Sequence, residues 1–311
     1  MDFELDQQQQ AIIDAVSSLL ERSAGAARAI ELAANGEYDT KLHDELASAG
    51  FTELAITEGG SALEAVLATE AVARSAGRVA FGQAALVVPG LLGRTLAGPT
   101  ALVLAGDKGP VRFAVEATSF LIVDGDEARL IECEAGAAPR TPSNFGYPMG
   151  TPSEELRRGG QGLGPGSGEK LRAWWRIMLA AEAVGAMSAA MDVTTDYLKN
   201  RRQFGRTIAS FQAVQHRLAE CKVLLEGARW LVYEAAALDA PVEQAALAAA
   251  HALSTAGRVF VETHQLSGAI GFTHEHDLHV WSMRLQALRL ELGGTASHRR
   301  AVSLTRWMAE A

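Results

Sequence analysis

The chain has 311 residues, 48% of them hydrophobic and 21% charged, which is the balance of a soluble globular protein large enough for two domains or one sizeable core. A formal net charge of -9 gives no bulk electrostatic footing for nucleic-acid binding. The two cysteines, Cys133 and Cys221, stand far apart without CxxC spacing, which excludes a disulfide framework and a thiolate zinc site and fits reduced thiols in a cytoplasm.

The opening MDFELDQQQQAIIDAV has no basic segment followed by an apolar core, so no signal peptide is expected. No window of about 18 uncharged apolar residues occurs either, so no membrane span is expected. Ile12, Val16, Leu19 and Leu20 recur at helical spacing and predict a helix over residues 7–34, with Asp6 as its cap. Further helices are expected over 40–50, from Ser61 onward, and over 82–97. The character changes at Thr100. The runs ALVLAG, VRFAVEA, SFLIVDG and ARLIECEA read as four strands of a small sheet. Residues 135–168 are rich in Gly and Pro and read as a long, partly mobile loop or linker. From Glu169 the pattern is helical again: one long helix to the RRQFG segment, a second over Phe211–Leu238 with Val214, Leu218, Cys221 and Leu225 on its buried face, a third over 241–266, a fourth over 276–292 and a short terminal helix over 295–310. Long helices with short connections make an up-down bundle. The expectation is an α+β, mostly α chain: a helical N-terminal domain over 1–98, a shortened central β domain with linker over 99–168, and a helical bundle over 169–311.

Three stretches carry candidate chemistry. In RRQFGRTIASFQ, Arg201, Arg202 and Gly205 are accounted for by a helix end. Phe204 and the Phe211-Gln212 pair are not. A guanidinium beside an aromatic ring can hold a pyrophosphate while the ring packs on a flat group. In HQLSGAIGFTHEHDLH, Gln265, Gly268 and Gly271 fit a helix cap and turn, or a close approach to a ligand. His274, His276 and His279 invite a metal reading, but only His276 and His279 come near one face, so no metal site is expected. In RLQALRLELGGTASHRR, Gly293 and Gly294 break the helix before Thr295, and Glu291 is the one carboxylate.

Together these stretches resemble the acyl-CoA dehydrogenase family. The carriers are Arg201, Phe204-Gly205, Phe211-Gln212, then Gln265, Gly268, Gly271 and Phe272, then Arg284 and Gly294-Thr295. The resemblance implies a helical domain, a β domain and a four-helix bundle. It also implies FAD and the oxidation of an acyl-CoA thioester to its trans-2-enoyl form, with a carboxylate taking the α-proton while the β-hydride passes to the flavin. By the same resemblance Arg201, Gln203, Phe204, Gln212, Gln265, Gly268 and Gly271 contact FAD held mainly by a neighbouring subunit.

The sequence departs from the family where the base should stand. The position before Gly-Thr is Gly293, and the other family position falls on Trp175. Glu291, two residues away, would point elsewhere by roughly 200° on a helix, and Glu182 lies two turns beyond Trp175. The β region has no tryptophan to flank a flavin. These departures resemble the shorter, base-lacking subunit of heterotetrameric actinobacterial steroid-CoA dehydrogenases, which implies a second acyl-CoA dehydrogenase subunit as partner in an α2β2 assembly. The alternatives are a homo-oligomeric enzyme using Glu291 as an unusual base, a scaffold that has lost flavin, and, more distantly, a metal protein built on the histidines.

Overall fold

The computed structural model describes residues 5–307. Five helices open the chain: α1 (Gln7–Ser23), α2 (Ala26–Ala34), α3 (Thr40–Ser48), α4 (Ala62–Arg74) and α5 (Val88–Leu92). Asp6 caps α1 by accepting from the Gln9 amide at 2.8 Å, while the Gln9 side chain accepts from the Asp6 amide, which satisfies two orphan donors reciprocally. The helix expected over 7–34 is two helices, because the chain turns through extended Ala24 and Gly25. The helix expected over 82–97 ends at Leu92, and its first part, Gln83–Val87, is a π turn. Pro89 explains the widening: it has no N–H to give to the preceding turn, and its ring crowds the carbonyl four residues back.

The middle of the chain holds β1 (Thr100–Leu104), β2 (Val111–Arg112), β3 (Ser119–Asp124), β4 (Glu127–Glu132), β5 (Arg140–Thr141), β6 (Met149–Gly150), α6 (Glu154–Arg158) and β7 (Gln161–Pro165). They form a four-stranded sheet in the order β1-β3-β4-β7, with β1 parallel to β3 and the other pairs antiparallel, and a small sheet β2-β6-β5. Two expectations are corrected here. VRFAVEA is not a full strand, since only Val111 and Arg112 pair, and they do so with β6 in the second sheet. The Gly/Pro-rich stretch is not an unpaired linker: it supplies β5, β6, α6 and β7. Gly162 pairs with Arg129 at a point where any Cβ would stand 2.5 Å from the Glu127 carboxylate, so the glycines that read as a linker are what let this edge strand close. Arg157, 3% exposed, ties the same stretch down by donating to the carbonyls of Pro152, Leu104 and Gly109.

The remainder is α7 (Ser167–Asn200), a two-strand ribbon of β8 (Arg202–Gln203) and β9 (Arg206–Thr207), then α8 (Gln212–Ala237), α9 (Val242–Ser267), α10 (Leu278–Leu288) and α11 (Gly294–Trp307). Helix α7 is long and apolar enough to cross a membrane, yet it is buried inside the protein, with α4, α8, α9 and α10 packed around it. That is the behaviour of a helix apolar on every side. The expected fourth helix over 276–292 is shorter, since α10 stops at Leu288 and a brief 3-10 turn, Glu291–Gly293, precedes α11.

His298 of α11 is fully buried. Burial, with Arg176 of α7 beside it, pushes its imidazole down to about 4. The unfolded chain therefore takes up this proton first as pH falls. Stability is whole above about pH 6.5 and is lost progressively down to about pH 4, by about 3 kcal/mol. His298→Gln is expected to flatten that acid limb. Urea unfolding at pH 7 and pH 4 checks it, and equal losses in both proteins would refute the assignment.

Candidate functional site

Short connections make α7, α8 and α9 alternate in direction, so the end of α7, the start of α8 and the end of α9 meet at one end of the bundle. Arg201, Gln212 and Gln265 stand at those three termini. A tilted ring contact between Tyr197 of α7 and His276, at 5.3 Å, joins the first terminus to the turn that follows the third.

Gly205 does not end α7, as a helix-cap reading would have it. The helix stops at Asn200 with Arg201 extended, and β8 and β9 pair Arg202 with Thr207 and Gln203 with Arg206. Phe204 and Gly205 form the two-residue turn between them, both at positive φ (54° and 78°), the geometry that matches the twist of a tight hairpin. Phe204 pays the strain of that conformation while leaving its ring 88% exposed. Its edge meets the Phe211 ring at 6.2 Å, and the Arg206 guanidinium lies 3.9 Å over that ring. The side chains of Arg201 and Arg202 are exposed and have no hydrogen bond or ion pair among the described residues. Gln203 donates to the Arg202 carbonyl at 2.7 Å. Helix α8 begins with no side-chain cap, so its first amides and the positive end of its dipole face the same corner. Arg206 is the member that sequence reading passed over; its place immediately after the turn, opposite Gln203, is the signal that was available.

At the end of α9, Gln265 and Gly268 are exposed, with Gly268 at φ 66° as the helix turns, whereas Gly271 is buried. Phe272 is 74% exposed, and His264 sits between the Phe260 and Phe272 rings, 4.2 and 5.0 Å from them. In the following turn His279 Nδ1 lies 2.9 Å from the His276 carbonyl, and no group of three or more metal-ligating side chains occurs among the described residues.

Of the two positions at which the resemblance places a base, Trp175 stands in a polar cluster inside the protein and Gly293 does not. Because Glu291 lies in a 3-10 turn followed by Leu292 at φ 51°, the helical projection that would turn it away does not apply. Its carboxylate accepts from the Trp175 indole N–H at 2.7 Å and from Nε of Arg112. Nη1 of Arg112 donates to Glu182 at 2.8 Å. Thus Glu182 and Glu291 meet on Arg112, which sequence reading did not single out, and Trp175 joins them through Glu291. A lone arginine in the apolar run around VRFAV was its signal, since a buried charge requires partners. Arg112 also stacks 4.6 Å over the Tyr147 ring, whose position Arg284 shares at 5.1 Å. Burial pushes the Glu182 carboxyl up, against the opposing pull of Arg112. Gly293 is exposed and contributes no side chain. The cavity beside the cluster, lined by Gln83, Leu102, Phe145 and Leu292 among others, measures about 250 Å³.

With this geometry in view, the chain was compared with known proteins. The pattern of the acyl-CoA dehydrogenase C-terminal domain matches residues 170–305. Acyl-CoA dehydrogenase IpdE2 of Mycobacterium tuberculosis is 32% identical over 303 residues, covering 89% of this chain and 91% of that protein. The chain belongs to the acyl-CoA dehydrogenase family. Solved family structures share its fold: a chain of the ChsE4-ChsE5 complex from Mycobacterium tuberculosis superposes with a TM-score of 0.81 at 22% identity, covering 98% of this chain and 99% of that one. A chain of the Tcur3481-Tcur3483 steroid acyl-CoA dehydrogenase gives 0.76 at 24% identity, covering 96% and 97%.

Acyl-CoA dehydrogenases are oxidoreductases, and FAD is the cofactor of the family. Within this member the two candidate regions are chemically unlike. The outward corner has unpaired guanidiniums, an uncapped helix start and exposed rings, which is the donor set a diphosphate with a flat base requires. The inner cavity, about 250 Å³, falls below the roughly 300–1,000 Å³ of small-molecule sites. Its carboxylates are already engaged by Arg112 and Trp175.

Proposed function

We propose that this chain is the base-lacking subunit of an FAD-dependent acyl-CoA dehydrogenase, and that it completes the FAD site of a catalytic partner subunit in an α2β2 assembly. The observation that carries the proposal is the Arg112–Glu182–Glu291–Trp175 cluster, in which both carboxylates are already engaged, by Arg112 and by the indole, and neither is free to act as a base. In this reading Arg201 grips the FAD diphosphate, Phe204 packs on its adenine, and Gln203, Gln212, Gln265 and Gly268 supply polar contacts around it, with Gly271 shaping the turn. FAD held there would supply the acceptor for the hydride lost from the β-carbon of the acyl-CoA, and a carboxylate of the partner would serve as the base for the α-proton. The exposed Phe204, Val223 and Val261 fit a face that a partner covers. The heteromeric names of the two structural neighbours support the partner, and the steroid name of one supports a steroid side-chain thioester as the acyl group.

The test is to purify the chain alone and together with a full-length acyl-CoA dehydrogenase subunit that carries a glutamate at the base position. The expected result is a colourless, inactive chain alone and a yellow complex that turns over. Stoichiometric FAD and acyl-CoA oxidation by the isolated chain would sink the proposal. Within the complex, Glu291→Gln is expected to leave kcat within about twofold, since an acceptor already committed to Arg112 and the indole is not free to take a substrate proton. Loss of turnover by two or more orders of magnitude would instead make Glu291 the base.

A further inference from the structure

A second cavity, about 910 Å³, lies between the end of α2, the loop over 140–149, the end of α9 and α10. Its described lining contains Arg78, Arg140 and Arg284, together with His264, His274 and His279, and no aspartate or glutamate. Arg140 is paired with Glu116 at 3.1 Å. The other two arginines are buried, 2% exposed each, and are met by neutral oxygens only: Arg78 donates to the carbonyls of Glu37 and Gly146, and Arg284 to those of Ala76 and Gly77. The nearby carboxylates Glu182 and Glu291 are bonded to Arg112, which shares the Tyr147 ring with Arg284, and neither makes an ion pair with the arginines of this cavity among the described residues.

Two fully buried polar atoms of the lining, Nε of Arg284 and Oγ of Ser282, have no hydrogen-bond partner within the protein. Leaving such groups unpaired costs about 1–3 kcal/mol each, more for a charged one, so a native site that keeps them has a use for them. Burial, with Arg284 close by, pushes the Arg78 guanidinium down to about 10. A negative charge in the cavity would relieve both costs. Another part of the wall is aromatic: the Phe260, His264 and Phe272 rings lie within 4.2–5.0 Å of one another in sequence. The volume lies within the range of sites for small organic ligands.

We propose that this cavity binds an anionic amphiphile, with a carboxylate or phosphate head against Arg78, Arg140 and Arg284 and a flat apolar body on the Phe260–His264–Phe272 wall. The cavity borders the flavin corner at Gly271, but none of its arginines belongs to the FAD contacts proposed above, on which this inference does not depend. The full-length chain, alone or in its complex, is titrated with 2-naphthoate by calorimetry. Saturable one-to-one binding is expected. The neutral 2-naphthamide is expected to bind at least about tenfold more weakly, and so are the variants Arg140→Gln and Phe272→Ala. Both positions are solvent-accessible, so the variants fold, and Arg140→Gln is expected to leave flavin retention of the complex unchanged. Competition by coenzyme A would assign the head group to a phosphate, and failure to compete would assign it to a carboxylate; each is consistent with the site. Equal binding of naphthoate and naphthamide would overturn the proposal. So would unchanged affinity in both variants, or one-for-one displacement by FAD, which would make the cavity part of the flavin corner.

Discussion

Arg112→Ala is expected to destabilise the chain by about 3–5 kcal/mol, because it leaves the buried Glu182 and the half-buried Glu291 without their cation. Arg112 is 4% exposed at its side chain and reaches from the small sheet to α7 and to the turn before α11. Losing it removes the ion pairs, the stack on Tyr147 and a link between the β region and the bundle. Replacing the network as a whole should cost far less. The triple variant Arg112→Met, Glu182→Leu, Glu291→Leu is expected to recover most of the loss, since an apolar set of similar volume avoids the desolvation penalty. Urea unfolding followed by circular dichroism distinguishes the two. A single-variant cost below about 1 kcal/mol would show that the cluster does not hold sheet to bundle.

The second large effect is on flavin. In the complex with a catalytic subunit, Arg201→Ala is expected to weaken FAD by about 10- to 100-fold, the equivalent of one or two charge-assisted hydrogen bonds to a phosphate. Folding stability should stay within about 0.5 kcal/mol, because the Arg201 side chain is exposed and engages no other described residue. Arg201→Lys should recover only part of the affinity, since an ammonium cannot present the planar fork of the guanidinium. The readout is the 450 nm flavin absorbance retained per complex, with reconstitution of the apo complex to give Kd. Full flavin content in Arg201→Ala would remove Arg201 from the cofactor contacts and with it the main grip of the proposed corner.

Much of the fold was legible in the residues themselves. Helical periodicity located α1, α4, α7, α8 and α9, because a long apolar stripe recurring every three or four residues has few other ways to be buried. The short β-favouring runs broken by Gly, Asp and Lys located β1, β3 and β4. The motif around Arg201 was legible because its residue types and spacing are local. What stayed hidden has a common cause. Strand β7 and the residue before it run through glycines whose composition is that of a linker, and only the structure shows what stands close to them: the Glu127 carboxylate at Gly162, and the Leu130 carbonyl and Ile131 side chain at Gly160. The turn at Phe204-Gly205 was read as a helix end because a positive-φ glycine serves both roles.

The sequence alone determined the family, the mostly helical order of elements and the absence of a carboxylate at Gly293 and Trp175. These follow from local patterns and from residue identity at fixed spacings. Only the tertiary structure decided which residues gather around Trp175 and Glu291. Arg112, Trp175, Glu182 and Glu291 are separated by up to 179 positions, and nothing in their spacing brings them together. The physical reason is that a buried arginine must find its counter-charges in three dimensions. Here it does so across a sheet, a long helix and a left-handed turn at Leu292, which swings Glu291 back toward the interior.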